Sequence, residues 1–135
     1  MITAVDTSVL VDIFGADPRF GERSAETIRR CLSEGALVAC EAVWAETATV
    51  FRHESAFLEA MGVLEVAFSP MAKDTALRAA AAWKRYRAQG GKRDRIAADF
   101  LIGAHAMAQC DRLLTRDRGF YRNHFHRLKI VDPSQ

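Results

Sequence analysis

The sequence predicts an α/β fold in which a parallel sheet is covered by helices on both faces. Short apolar runs alternate along the chain with longer segments in which apolar residues recur at helical spacing. Strands that are apolar throughout are typical of parallel sheets, because both of their faces are buried. A length of 135 residues suits one core of ordinary size, so we expect a single domain over residues 1–135.

The predicted strands are short, rich in Val, Ile, Leu and Ala, and followed by a polar residue or a turn. They cover residues 2–6, 36–40, 63–68, 112–115 and 128–131. Pro70 stops the third strand, because proline cannot donate to a sheet ladder.

The predicted helices fill the segments between these strands. They cover residues 7–14, 22–34, 41–53, 54–61, 72–88 and 95–109, with one further helical turn at 120–125. Gly35 suits the C-cap of the second helix, and Gly62 the end of the fourth. Helices between consecutive strands are the usual crossover connections of a parallel sheet.

Four acidic residues stand next to or inside apolar segments. Asp6 follows the first strand and Asp117 follows the fourth, whereas Glu46 and Asp99 lie within apolar helices. A lone buried charge is costly, so acids at such positions require a compensating group. Sites in open α/β sheets lie beyond the carboxyl ends of the strands, where these acids could meet. A shared divalent cation is the compensator that this pattern indicates.

Each acid also has a plainer interpretation. Asp6 could only cap the next helix, and Asp117 could only stabilise a turn. Glu41 lies at a helix entrance, where the helix dipole favours a carboxylate without any further role. Asp12 is interpreted as a surface charge, and Asp94 as a solvated charge or a helix cap.

Three hydroxyl residues flank the predicted cluster and are expected to support it. Thr7 and Ser8 follow Asp6, and Thr115 stands two residues before Asp117. A hydroxyl at this distance can hydrogen-bond a carboxylate or a metal-bound water.

The charge of the chain is distributed unevenly. Residues 1–77 carry 6 Lys/Arg against 12 Asp/Glu, whereas residues 78–135 carry 13 against 5. A basic surface beside an acidic pocket suits a polyanion, although solvated helix faces would have the same composition. The side chains expected to contact phosphates are Lys84, Arg85, Lys92, Arg93, Arg116 and Arg118.

Composition argues against several other classes of protein. No stretch approaches the roughly 20 apolar residues of a membrane span, and the first residues lack signal-peptide features, so we expect a cytoplasmic protein. Cys31, Cys40 and Cys110 show no metal-binding spacing and are expected to be reduced thiols. His124 and His126 lack a third ligand nearby, which argues against zinc.

The order of these motifs resembles that of the PIN-domain nucleases over essentially the whole chain. The short length resembles the VapC-type ribonuclease toxins of toxin–antitoxin systems within that family. The matching segments are Asp6-Thr7-Ser8, Trp44-Ala45-Glu46, Asp99-Phe100-Leu101-Ile102-Gly103 and Leu114-Thr115-Arg116-Asp117.

The resemblance implies an α/β/α sandwich on a five-stranded parallel sheet and a Mg²⁺- or Mn²⁺-dependent endoribonuclease. It implies Asp6, Glu46, Asp99 and Asp117 as the catalytic acids, with Asp6, Asp99 and Asp117 as metal ligands. Glu46 would complete the metal shell or orient the attacking water. The implied partners are RNA, a small VapB-like antitoxin and a second copy in a homodimer.

Other functions remain open from the residues alone. A stand-alone RNA-processing enzyme or a structure-specific DNA nuclease would use the same acidic site. A haloacid-type phosphatase would require a second Asp in place of Ser8. A non-catalytic binding module would not need all four acids.

Overall fold

The computed structural model describes residues 1–92 and 97–135, and its centre is a parallel sheet. Within these residues the sheet has five strands in the order β3-β2-β1-β4-β5. The strands are β1 (Ile2–Val5), β2 (Ala36–Ala39), β3 (Val66–Phe68), β4 (Arg112–Leu114) and β5 (Ile130–Val131). The predicted strands are therefore confirmed, with shorter ends.

The helices alternate with the strands as predicted. They are α1 (Thr7–Phe14), α2 (Gly21–Glu34), α3 (Glu41–Ala48), α4 (Glu54–Val63), α5 (Lys73–Ala88), α6 (Ala97–Gln109) and α7 (Arg118–His124). The connections from β1 to β3 run in one direction across the sheet, and those from β3 to β5 run in the other. Right-handed crossovers in two directions place helices on both faces, which confirms the α/β/α sandwich.

The switch in strand order places the ends of β1 and β4 side by side. Val5 pairs with Leu114 in the register of the two strands. The ladder continues for one residue, because the Asp6 backbone N–H donates to the Leu114 carbonyl at 2.9 Å. Asp6 and Thr115 therefore leave the sheet next to each other, at the topological switch point.

Several element boundaries differ from those predicted. Helix α3 ends at Ala48 rather than at residue 53, and α4 continues through Gly62 to Val63. Strand β3 consequently starts only at Val66, after Glu65 adopts a left-handed φ of 56°. The predicted start of α6 at residue 95 lies outside the described residues.

Several aromatic side chains and His105 are packed in the core. Phe100 and Phe120 are buried and pack edge to face, with Tyr86 against both rings. His105 is buried, and its Nε2 lies 2.8 Å from Ser69 Oγ. Gly103 lies directly under the Phe125 ring, so that a Cβ at this position would collide with it. The three cysteines form no disulfide.

No helix within residues 1–92 and 97–135 is both long enough and apolar enough to span a membrane.

Candidate active site

Asp6 is the buried centre of the candidate site. It is 6% exposed and caps α1, with its Oδ1 accepting from the Thr7 backbone N–H at 2.8 Å. Its Oδ2 accepts from Thr115 Oγ1 at 2.7 Å and from Ser8 Oγ at 3.4 Å. The capping interpretation is thus correct. A helix cap needs only one carboxylate oxygen and no burial, so the burial of Asp6 indicates a second role for this side chain.

The surroundings of Asp6 disfavour its charged form. The pKa of Asp6 is raised to about 6: burial raises it most, the hydrogen bonds from Thr115 and Thr7 lower it, and the negative charges of Asp99 and Asp117 also raise it. Asp99 and Asp117 therefore lie close enough to act on Asp6. A positively charged group among these three carboxylates would favour the charged form of Asp6.

Glu46 is joined to Asp6 through a neighbouring side chain. Thr7 Oγ1 donates to Glu46 Oε1 at 2.8 Å, across 39 positions of sequence. Glu46 is half-buried in α3, the helix that follows β2. The structure therefore brings the carboxylate of Glu46 to the first turn of α1, beside the cap formed by Asp6.

Asp117 is held by the segment that leaves β4. Its backbone N–H donates to Thr115 Oγ1 at 3.0 Å, and its Oδ1 accepts from the Phe120 N–H at 3.2 Å, which caps α7. The Thr115 hydroxyl donates to Asp6 at the same time. One buried hydroxyl thus connects the two acids at the ends of β1 and β4.

Asp99 reaches the site from a helix N-terminus. It is half-buried in the first turn of α6. The negative charge of Asp99 raises the pKa of Asp6, so the two carboxylates lie near each other.

The basic residues divide into paired and exposed groups. Arg116 forms an ion pair with Asp12, and Arg118 lies 2.8 Å from Asp132. Lys84, Arg85 and Lys92 are exposed. Arg93 lies outside the described residues, as does Asp94.

The interpretation of Asp12 as a surface charge is wrong. Asp12 is 6% exposed, and both carboxylate oxygens accept from Arg116, at 2.5 Å from Nε and 3.1 Å from Nη2. The only signal in the sequence was its position three residues after Val9, on the buried side of α1. Its partner stands 104 residues away and could not be identified from local pattern.

The donor atoms of the four acids suit a hard divalent cation, because all are carboxylate oxygens. As the side chains stand, no three His, Cys, Asp or Glu residues in the described part of the chain form a group that would hold a metal ion. Mg²⁺ usually keeps several waters and takes only one or two carboxylates directly. In donor chemistry, the four acids therefore fit a hydrated hard cation such as Mg²⁺.

Fold and site together define a class: an α/β/α protein with acidic residues gathered at the switch point of its sheet. The family model for the PIN domain matches residues 3–125. The chain therefore belongs to the PIN domain family, a family of nucleases. No match was found among the curated proteins.

Solved structures of similar fold cover nearly the whole chain. VapBC2 from Rickettsia felis, determined with a DNA fragment from its promoter, matches with a TM-score of 0.78, 14% identity and 98% of each chain covered. VapBC-1 from nontypeable Haemophilus influenzae matches with a TM-score of 0.74, 18% identity and 100% of each chain. A toxin–antitoxin complex from Klebsiella pneumoniae matches with a TM-score of 0.64, 19% identity and 97% of each chain. At these identities, the likeness establishes the fold.

Proposed function

We propose that this protein is a Mg²⁺- or Mn²⁺-dependent endoribonuclease that acts in the cytoplasm as the toxin of a toxin–antitoxin pair. One observation carries the catalytic part of the proposal. The pKa of the buried Asp6 carboxyl is raised to about 6, in part by the negative charges of Asp99 and Asp117 nearby. Perturbed acids in such a cluster are typical of functional sites.

The four acids have distinct roles in this proposal. Asp6, Asp99 and Asp117 would hold the cation, directly or through water. Glu46, fixed by Thr7, would complete the shell or orient the attacking water. The Thr115 hydroxyl donates to the Asp6 carboxylate and accepts from the Asp117 backbone N–H, so it would hold the segment that carries Asp117 next to Asp6. Ser8 Oγ lies 3.4 Å from Asp6 Oδ2. When bound, a divalent cation lowers the pKa of water and stabilises charge on the phosphate oxygens.

The metal requirement is tested by removing and restoring the ion. We expect excess EDTA to abolish cleavage of single-stranded RNA, and Mg²⁺ or Mn²⁺ to restore it, because the proposed mechanism needs a cation to lower the pKa of the attacking water and to stabilise charge on the phosphate. Zn²⁺ should substitute poorly at an all-oxygen site. Gel analysis of a labelled RNA measures the cleavage, with a single-stranded DNA of the same sequence as the second substrate. Cleavage that persists in excess EDTA would overturn the metal-dependent mechanism.

The second candidate function is a stand-alone RNA-processing or structure-specific DNA nuclease. The same acidic cluster would serve it, because metal-dependent phosphodiester hydrolysis uses the same ligands on either nucleic acid. Preferential cleavage of DNA in the experiment above would favour the DNA nuclease. A short neighbouring reading frame that encodes a DNA-binding protein would favour the toxin.

The proposed protein partners are a small VapB-like antitoxin and a second copy of the chain. Similarity in fold to VapBC2, VapBC-1 and the Klebsiella pneumoniae toxin–antitoxin complex supports the antitoxin. An antitoxin arginine that entered the site would compensate the same carboxylates as the cation, since guanidinium pairs with two carboxylate oxygens.

The exposed basic residues are proposed to bind RNA phosphates. The triple variant Lys84→Gln/Arg85→Gln/Lys92→Gln should weaken RNA binding in EDTA across unrelated sequences. Each lost phosphate contact should flatten the plot of log affinity against log salt by about 0.7, so that the slope changes by about 2. Fluorescence anisotropy at several salt concentrations measures it.

The matched control removes three exposed charges from α2, in the variant Arg23→Gln/Arg29→Gln/Arg30→Gln. It should leave the salt slope close to that of the wild type. Equal changes in both triple variants would show that the binding reflects net charge rather than a defined surface.

A further inference from the structure

The ion pair between Arg116 and Asp12 connects the segment after β4 to the C-terminal half of α1, the helix that Asp6 caps. Arg116 is the residue between Thr115 and Asp117, both of which take part in the acidic cluster. Asp12 lies in α1, whose first turn is capped by Asp6. The pair therefore ties the segment after β4 to the helix that begins at Asp6.

Arg116 and Asp12 form a bidentate ion pair. Arg116 Nε and Nη2 each donate to a different oxygen of Asp12, at 2.5 and 3.1 Å. The guanidinium also lies over the Phe20 ring, 4.1 Å from its centroid. The Asp12 side chain is 7% exposed and that of Arg116 is 31% exposed. A two-bond pair of this kind restricts orientation as well as distance.

The loop that carries Phe20 is itself held in place. The Asp17 backbone N–H donates to the Asp12 carbonyl at 2.9 Å, and the Asp17 Oδ1 accepts from the N–H groups of Arg19 and Phe20, both at 2.8 Å. The Arg116 guanidinium thus contacts two ordered parts of the fold. Two of its nitrogens are taken up by Asp12 and one of its faces by Phe20, which reduces what it can offer to a phosphate.

The acidic cluster needs such a restraint because its members repel one another. Asp99 and Asp117 act on Asp6 through their negative charges. Asp117 belongs to a short segment that leaves the sheet after Leu114 and is connected to Asp6 through the Thr115 hydroxyl. The Thr115 hydroxyl holds this segment to Asp6, and Arg116 holds it to Asp12. Together these two contacts would keep Asp117 beside Asp6 in the absence of a cation.

We propose that Arg116 is a positioning residue, which acts through its ion pair with Asp12 to fix Thr115 and Asp117 against Asp6. This inference rests on the proposed function. It assigns Arg116 to the organisation of the metal site and removes it from the surface that binds RNA phosphates.

The test compares Asp12→Asn, Arg116→Gln, Arg116→Lys and the double variant Asp12→Asn/Arg116→Gln. Isothermal titration with Mn²⁺ should show affinity reduced about 10- to 100-fold in each single variant, as is usual when a residue that orients metal ligands is lost. Arg116→Lys should not restore it, because an ammonium cannot form the two-bond pair. The double variant should lose no more than the single variants, because both remove one interaction.

RNA binding in EDTA separates positioning from phosphate contact. If Arg116 positions the acids, the salt slope of binding stays at the wild-type value in all four variants. If Arg116 binds phosphate, Arg116→Gln flattens the slope by about 0.7, Arg116→Lys preserves it, and Asp12→Asn strengthens binding by releasing the arginine. The second pattern would overturn the proposal, as would unchanged Mn²⁺ affinity in Arg116→Gln and Asp12→Asn.

Amide hydrogen exchange on the metal-free protein gives a readout that does not depend on the proposed function. Exchange at Thr115, Asp117 and Phe120 should accelerate in the variants relative to buried amides of β1, because these N–H groups hold the segment in place. Unchanged protection at these amides would overturn the positioning role of Arg116, whatever the metal affinity. Failure of the wild-type protein to bind Mn²⁺ would instead count against the proposed function. Arg30→Gln, which removes an exposed pair with Glu34 at 3.8 Å, is the control. Should Asp12→Asn fail to fold, Arg116→Lys, which leaves a positive charge opposite Asp12, decides the question.

Discussion

RNA cleavage is expected to fall at least about 100-fold when any one of the four acids loses its charge. Residues that merely orient metal ligands are commonly worth 10- to 100-fold, so a ligand or a water-orienting acid should be worth at least the upper value. The variants are Asp6→Asn, Glu46→Gln, Asp99→Asn and Asp117→Asn. Initial rates of RNA cleavage in Mg²⁺ measure the effect, and each substitution keeps the size of the side chain.

The same variants should leave the metal-free protein as stable as the wild type or more stable. Close carboxylates repel by about 1–4 kcal/mol per pair, depending on the local dielectric, and each substitution removes part of that repulsion. Thermal unfolding in EDTA measures this. Glu41→Gln is the control, because Glu41 is exposed and its carboxylate accepts from the Met71 backbone N–H outside the cluster. Variants of the four acids that were destabilised but still active would show that these residues are only caps.

The stability of the metal-free protein is expected to decrease by about 3 kcal/mol on account of Asp6 as the pH rises from about 3 to above about 7. Its pKa is about 6 in the folded protein and 3.8 as the ordinary value. The folded state therefore holds the proton more tightly, and the resulting stabilisation is complete below pH 3.8 and lost as the pH rises through 6.

Urea unfolding of wild type and Asp6→Asn in EDTA, from pH 3.5 to 8, isolates this contribution. The difference in free energy of unfolding should move in favour of Asp6→Asn as the pH rises and level off above about pH 7. Asp74→Asn, at an exposed position outside the acidic cluster, is the control for the loss of one carboxylate. A pH-independent difference for Asp6→Asn would mean that Asp6 titrates as an ordinary carboxyl group.

The parts of the site that follow strand ends could be predicted from the sequence. An apolar run that ends in an acid is a local pattern, and parallel strands end at one edge of the sheet. Asp6 and Asp117 satisfied this rule, and Val5 and Leu114 are indeed register partners. Glu46 was recognisable because it interrupts an apolar helix. The sequence pattern could not decide whether an acid after a strand caps the next helix or binds a metal. Asp6 does cap α1.

The parts that depend on distant pairing could not be predicted. Asp12 and Arg116 are 104 residues apart, and only the folded chain brings them together. The same is true of Thr7 and Glu46, which are 39 residues apart. Helix α3 was predicted too long because residues 49–53 continue its composition, whereas the backbone turns after Ala48. In these cases, tertiary packing rather than local propensity decides the outcome.

Titration of the metal-free protein with Mn²⁺ at pH 7.5 tests the central claim most directly, since it requires neither RNA nor turnover. We expect the wild type to bind Mn²⁺ and Asp6→Asn, Asp99→Asn and Asp117→Asn each to bind at least about tenfold more weakly, whereas Glu41→Gln binds as the wild type does. Affinity should also fall as the pH drops below 6, because Asp6 must lose its proton to act as a ligand. Absence of Mn²⁺ binding by the wild type, or equal binding by all variants, would contradict the assignment of these acids to one metal site.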